Sequence, residues 1–375
     1  MGLKELFVTK KVKLALLPEK NDYLLTEEGK RQRQRMGKEQ VEELHKMIET
    51  EPFRYVNLTL LDKLGGYTVP LIAHDYGALT PKMWNTVYEK QGINIRNIMV
   101  IANPNDGKEI FDHLKEDTKY LGGGAGVGFK ESSLQHLNMT IPPALKSVNI
   151  LVNNGRNLIG YNTDAAGFVK SLEEKFAEIE KKIEGSTIII FGAGGVAKEV
   201  ADMIAQKKPK RIRVINRTFG KAVAIADELN KRYGDIATGL GEEMIRGSIL
   251  NSEFIPDAIV NLTDKGSDGP LENVSAFAEA GEKNIELSRE RLRYLYQLNP
   301  KVIIADIVLP KSGESISLRL AKAEGIKNLI DGKPMVIYQA VPAYLHIQKA
   351  HPKLHDTILN ENIILSIMKD AANRR

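Results

Sequence analysis

The sequence predicts an α/β protein of two domains, the second built on a doubly wound parallel sheet. Three observations carry this. The chain has 375 residues, more than one domain of ordinary size holds, and 42% are hydrophobic against 27% charged, the balance of a globular protein with a core. From Tyr55 onward, short apolar runs alternate with helical stretches, as they do where strands lie parallel in a sheet. Finally, a buried run at 186–191 passes through a glycine-rich turn directly into a helical stretch.

The elements follow in order. Residues 1–54 form an N-terminal extension. Its stretch 27–49 places Val41, Leu44 and Ile48 on one side of a helical repeat. The basic run there (Lys30, Arg31, Arg33, Arg35, Lys38) is followed by Glu39, Glu42 and Glu43, and these pairing spacings favour a solvated helix over a nucleic-acid patch. The first domain, 55–164, reads as strand 69–73, helix 81–91, strand 95–102, helix 108–119, a glycine-rich loop at 122–126 and strand 148–152. Asn153, Asn154 and Gly155 then turn the chain into 158–160.

In the second domain, 165–334, a helix at 166–183 leads to strand 186–191, helix 197–206, strand 211–216, helix 221–233 and strands at 258–262 and 302–307. The charged, partly helical stretch 264–300 reads as an insertion with no assigned role. Helices within 335–375 are expected to return to the first domain.

Composition narrows the chemistry. There is no cysteine, which removes disulfides, thiolate metal sites and cysteine nucleophiles together. The seven histidines show no ligand-like spacing, so no metal is expected, and His74, His113 and His136 read as surface or core residues. No apolar run reaches membrane-spanning length, and residues 1–20 lack a secretory apolar core; a cytoplasmic location is expected. A formal charge of +5 is modest for this length. A small-molecule substrate is the expected partner, with no nucleic acid and no membrane, and with a homodimer left open.

The glycine-rich turn carries the sharpest signal: Gly192, Ala193, Gly194, Gly195, Val196, Ala197, after a strand and before a helix. Gly192 permits a tight turn, and Gly194 lets the backbone approach a pyrophosphate. Gly195 or the small Ala197 allows the helix to pack closely on the sheet. The free N–H groups and positive end of that helix then face phosphate. The end of the next strand selects the nucleotide. An acidic residue there would hold a ribose 2′-hydroxyl, but the chain has Asn216, Arg217 and Thr218, with Lys221 one helical turn on. A guanidinium and a hydroxyl grip a 2′-phosphate that a carboxylate would repel, so the cofactor is read as NADP and the domain as a Rossmann-type NADP-binding domain.

The same turn followed by Asn-Arg-Thr resembles the shikimate dehydrogenases, and other segments agree in order. Gly160, Asn162, Thr163, Asp164 and Gly167 are similar to that family's Gly-x-Asn-Thr-Asp-x-x-Gly, and Val148-Asn149 to its Ala-Val-Asn-Thr strand. The segment from Asp306 to Pro310, the stretch 321–325, Gly332 and the stretch 335–340 resemble its closing segments. The resemblance covers roughly 68–348. It implies an N-terminal α/β substrate domain, with Lys130 and Asp164 as the catalytic pair: the ammonium donates to the developing alkoxide and the carboxylate orients it. It further implies that Thr80, Asn149, Thr163 and Gln339 bind the substrate, and that the reaction interconverts 3-dehydroshikimate and shikimate or a close cyclic hydroxy acid.

The substrate half departs from the family. Where the family has Asn-Val-Thr-x-Pro-x-Lys, this chain has Gly124-Ala-Gly-Val-Gly-Phe-Lys130, with Gly124 and Gly126 at the Asn and Thr positions. Its His-Ser-x-Ser-Pro loop is here His74-Asp-Tyr-Gly-Ala-Leu-Thr-Pro81, two residues longer, with Thr80 standing for the second serine and Asp75 placed to repel a carboxylate. Two other readings therefore stay open: a dehydrogenase of another polyol or cyclitol, and a catalytically silent NADP-binding sensor or scaffold.

Overall fold

The structure is a computed structural model that describes residues 55–56, 66–74, 79–250, 253–310, 312–352, 354 and 358–374. The helix expected over 27–49 and the Asp75 position lie outside the described residues. The chain forms two compact units, 1–163 with 340–375, and 164–339.

The first unit runs β1 (Tyr55–Val56), β2 (Tyr67–Thr68), β3 (Leu71–Ala73), α1 (Thr80–Gln91), β4 (Ile95–Arg96), β5 (Met99–Ala102), α2 (Gly107–Glu116), β6 (Gly122–Ala125), α3 (Phe129–Ser132), β7 (Met139–Thr140), β8 (Ile150–Asn153) and β9 (Leu158–Tyr161). Among the described residues its main sheet has the order β1-β5-β3-β6-β8-β9-β7, with β5, β3 and β6 parallel, β8 antiparallel to both β6 and β9, and β7 parallel to β9. The single strand expected at 95–102 divides at Asn97. There the side chain donates to Val69 O (2.5 Å), while the backbone N–H donates to Asn85 Oδ1 (2.8 Å). In α2, Ile110, Phe111 and Leu114 form a buried stripe against Ile72, Val100 and Ala102 of the sheet. Pro81 in the first turn and a left-handed Gly92 just past the end delimit α1.

The glycine-rich stretch at 122–126, expected as a loop, is largely strand β6, fully buried between β3 and β8. Low strand propensity argued for a loop, because glycine brings no side chain to pack. What decides instead is the closeness of the neighbouring backbones. A Cβ on Gly123 would lie 1.9 Å from Pro70 O, and one on Gly122, at φ +124°, would lie 2.2 Å from Leu151 O.

The second unit runs α4 (Asp164–Glu178), β10 (Thr187–Phe191), α5 (Gly195–Gln206), β11 (Arg211–Asn216), α6 (Phe219–Tyr233), β12 (Ala237–Gly241), α7 (Ile245–Ile249), β13 (Ala258–Asn261), α8 (Asn284–Leu298), β14 (Ile303–Asp306), α9 (Ile316–Ala323) and β15 (Asn328–Ile330). The helix α10 (Gly332–Ala350) then carries the chain back into the first unit, where α11 (Glu361–Asn373) packs against α1. Within that unit Tyr344 of α10 meets Trp84 and Tyr88 of α1, with ring centroids 5.8 and 5.0 Å apart.

The sheet of the second unit is parallel throughout, in the order β12-β11-β10-β13-β14-β15, so the winding direction reverses between β10 and β13. Period-two alternation splits its side chains between two cores. Ile188, Ile190, Val214 and Val260 pack under α4, α5 and α6, while Ile189, Phe191, Ile259 and Ile304 face the opposite side. That opposite side is covered largely by the stretch expected as an insertion. Ala276, Phe277, Leu292 and Leu295 are buried there, and the stretch is the crossover from β13 to β14. Its charged, exposed side dominated the sequence pattern and concealed the apolar one. Strands β12 and β15 had no sequence signal, the first because Gly239 and Gly241 interrupt its apolar run.

Replacing Gly123 with alanine would drive the new methyl into a backbone carbonyl that cannot move without separating β3 from β6. Gly123→Ala is expected to destabilise the protein by about 3 kcal/mol or more, read from urea unfolding. A variant as stable as the parent would show that this ladder has slack.

Candidate functional site

In the second unit, β10 delivers the chain to Gly192, which sits at φ +110°; a Cβ there would lie 2.8 Å from Leu262 O. Gly194 precedes α5 and no side chain caps the helix. A Cβ on Gly194 or Gly195 would meet nothing within 4 Å, so the first turn of α5 opens onto free space. That space is a cavity of about 370 Å³ at the carboxyl ends of β10, β11 and β13, where the winding reverses.

Seven of the ten residues expected to hold the nucleotide line this cavity together: Gly192, Ala193, Gly194, Asn216, Arg217, Thr218 and Lys221. Gly195, Val196 and Ala197 form the first turn of α5 behind it, and Ala197 is buried in the core beneath. Asn216 Nδ2 donates to Thr218 O (3.0 Å) and so shapes the turn, while Arg217, Thr218 and Lys221 are exposed. Thr218 precedes α6, but its hydroxyl does not cap that helix. No carboxylate stands at the end of β11. Glycines without side chains, an uncapped helix start and two cations fit a phosphorylated dinucleotide.

Sequence reasoning missed the far wall. Thr263, Asp264 and Lys265 after β13, and Leu271, Ala276 and Ala280 beyond them, also line the cavity. So does Glu242 after β12, but its charge is matched: Lys265 Nζ pairs with Glu242 and donates to Ala278 O at 2.9 Å. The available signal was the run of polar residues directly after the apolar strand β13.

A buried carboxylate braces this wall. Asp306, at the end of β14, accepts from Asn261 Nδ2 (2.9 Å), Ser315 Oγ (2.6 Å) and Val308 N (3.0 Å). Asn261 Oδ1 in turn accepts from the hydroxyl (2.6 Å) and backbone N–H (3.1 Å) of Thr263, whose Oγ accepts from Lys265 N (3.2 Å). Burial pushes the Asp306 carboxyl up from 3.8 to about 6 despite the three hydrogen bonds that favour its charged form.

In the first unit, the carboxyl ends of β3 and β6, the start of β8 and the end of β9 share one edge of the sheet. Asn149 and Thr163 meet at this edge, both buried. Asn149 Nδ2 donates to Thr163 Oγ1 (3.0 Å) and Thr163 N donates to Asn149 Oδ1 (2.9 Å). Lys130, half-buried on α3, is tied to the same edge through its carbonyl, which accepts from Val148 N (2.8 Å). Thr80 opens α1 and is buried. Asp164, the first residue of α4, and Gln339 on α10 belong to the second unit. There Gln339 packs on Gly167, where a Cβ would come within 2.6 Å of its backbone nitrogen. Beside Thr163, Tyr161 stacks on His346 with centroids 4.0 Å apart, a pair to which the sequence assigned no role.

The glycines at the family's Asn and Thr positions are closed over by their neighbours. A Cβ on Gly124 would lie 2.4 Å from Leu71 Cδ1, and one on Gly126 would lie 2.9 Å from Ala73 Cβ. Among the described residues no group of three or more His, Cys, Asp or Glu could hold a metal ion, and no helix is long and apolar enough to cross a membrane.

The raised Asp306 value has a sign. A carboxyl that holds its proton more tightly when folded adds most to stability below pH 3.8, and that contribution is lost as pH rises through about 6. The unfolding free energy of the parent minus that of Asp306→Asn is therefore expected to fall by up to about 3 kcal/mol between pH 4 and pH 7. A pH-independent difference would mean that Asp306 titrates alike in both states.

The family model described as shikimate / quinate 5-dehydrogenase matches residues 173–242. A shikimate dehydrogenase (NADP(+)) of Halothermothrix orenii is 28% identical over 284 residues, 74% of this chain and 89% of the relative. Two solved structures share the fold. One is a shikimate dehydrogenase in complex with NADP+, at TM-score 0.60 and 22% identity, covering 82% of this chain and 96% of that one. The other is the ligand-free 5-ketofructose reductase of a Gluconobacter strain, at TM-score 0.57 and 20% identity, covering 82% and 99%. In sequence and in fold this chain is similar to the shikimate / quinate 5-dehydrogenases.

Proposed function

We propose that the chain is an NADP-dependent oxidoreductase that interconverts 3-dehydroshikimate and shikimate, or a close cyclic hydroxy acid, by hydride transfer. The observation that carries this is the cavity of the second unit, where an uncapped helix start and Arg217, Thr218 and Lys221 line one space with no acidic residue at the end of β11. The curated relative is itself named for NADP(+) and shikimate. Bound NADPH supplies the hydride. Lys130 gives its proton to the carbonyl oxygen as charge develops, and Asp164 orients the ammonium and holds a neighbouring hydroxyl. Asn149 and Thr163, locked together, present a fixed edge to the substrate hydroxyls, with Thr80 and Gln339 as further partners. A homodimer and a cytoplasmic location belong to the same reading, and light scattering and fractionation check them.

A second reading is favoured by Gly124 and Gly126, which carry no side chain where the family uses two polar ones, and over which Leu71 and Ala73 now pack. On this reading the substrate is another polyol or cyclitol, in line with the fold shared with a ketofructose reductase. Oxidation of shikimate and then quinate with NADP+, followed by absorbance of the reduced nicotinamide, separates the two. Turnover of either supports the first reading; NADPH binding without turnover of either favours the second.

Lys130→Ala is expected to lower turnover by about 100-fold or more with NADPH binding intact. Unchanged turnover would remove Lys130 from the chemistry, and no turnover by the parent on any polyol would favour a silent NADP-binding protein. Arg217→Ala is expected to weaken NADP(H) by roughly tenfold or more while NAD(H) binding barely changes. Equal losses for both would mean that Arg217 does not touch the 2′-phosphate.

A further inference from the structure

The first unit holds a second cavity, of about 600 Å³, which neither the resemblance nor the proposed activity uses. It lies at the opposite edge of the sheet from Asn149 and Thr163. Tyr120 and Leu121 border it just before β6 begins, the turn of the β8–β9 hairpin borders it at the far end of those strands, and His351 borders it from beyond α10.

The lining is rich in hydrogen-bond donors for a reason visible in the turn. Asn154 Oδ1 accepts from Arg156 N (3.0 Å) and Asn157 N (2.8 Å), and Asn138 Oδ1 accepts from Leu158 N (2.7 Å). Asn154 Oδ1 has both lone pairs engaged and Asn138 Oδ1 one of two, and among the described residues nothing accepts from the Nδ2 donors of either amide. Lys115 and Arg156 stand exposed in the lining and add two positive charges. Tyr120, 2% exposed, borders the cavity with its ring, and its hydroxyl is buried with no hydrogen-bond partner among the described residues. Asp117 is the one carboxylate among the lining residues, and its Oδ1 accepts from Lys119 N (2.8 Å). Two cations and two amide donors against one carboxylate, whose Oδ2 is buried without a partner among the described residues, select a ligand that brings acceptors and negative charge.

We propose that this cavity is a binding site for a small oxyanion, a carboxylate or phosphate compound, separate from the nucleotide cavity and from the Asn149–Thr163 edge. Its size is within the range of pockets that enclose small molecules. Arg156 and Lys115 hold the anionic group, and the Asn138 and Asn154 amides fix its orientation.

The test is isothermal titration of the full chain with inorganic phosphate and, separately, with citrate. It uses the parent, the double variant Lys115→Ser/Arg156→Ser and the double variant Arg217→Ser/Lys221→Ser. All four side chains are exposed, so both variants should keep the fold. The expected result is binding of at least one probe that Lys115→Ser/Arg156→Ser weakens by roughly tenfold or more and that the second variant leaves unchanged. Binding lost only in Arg217→Ser/Lys221→Ser would place the anion in the nucleotide cavity and overturn the proposal. Failure of both probes to bind the parent would overturn it as well. A preference for citrate over phosphate would identify the ligand as a carboxylate, and the reverse as a phosphate.

Discussion

The second unit is organised around the peptide N–H groups at the start of α5, which intrahelical bonding cannot satisfy and which no side chain caps. A helix can be left in that condition only where water or an anion can reach it. The fold provides such access by setting α5 directly after β10, at the point where the sheet reverses its winding and the crossovers diverge. Gly192 makes the turn because its Cβ would strike Leu262 O, and Gly194 keeps the approach open because nothing stands in front of it. The two sheet faces, packed by alternate residues of the same strands, hold this arrangement rigid. The cations that follow β11, Arg217 and Lys221, line the same opening.

The far wall of that cavity depends on a costlier device. Burying Asp306 disfavours its charge, and the three hydrogen bonds it accepts do not fully offset the lost hydration, so its carboxyl stays above the ordinary range. In exchange, Asn261 is held with its carbonyl toward Thr263, and Thr263 in turn ties the backbone of Lys265. Across the same wall Lys265 matches the charge of Glu242.

In the first unit the controlling constraint is the closeness of backbones. The glycines of β6 let β3 and β8 approach to distances that no Cβ would allow, and Leu71 fills the space that side chains would otherwise take. This removes two polar groups from the edge where Asn149 and Thr163 sit. On the proposed reading, a pocket that lacks such groups loses discrimination along with affinity.

Much of this was legible in the residues alone. The alternation of apolar runs and helices, the turn from Gly192 to Ala197, and the absence of an acidic residue near Arg217 are local patterns, governed by dihedral freedom, side-chain periodicity and charge, and they need no knowledge of what lies opposite. What lies opposite is what only the tertiary structure decided. Residues 122–126 read as a loop because glycine packs nothing, and most of them became a central strand because Pro70 and Leu151 press against them. Residues 264–300 read as an insertion because their exposed side is charged, while Phe277, Leu292 and Leu295 complete a core from strands distant in sequence. The cavity around Arg156 and Lys115 had no sequence signal, because its lining comes from five separate segments. Local conformation is encoded by neighbours along the chain, whereas burial and convergence depend on partners far along it, and those distances are set only when the sheets close.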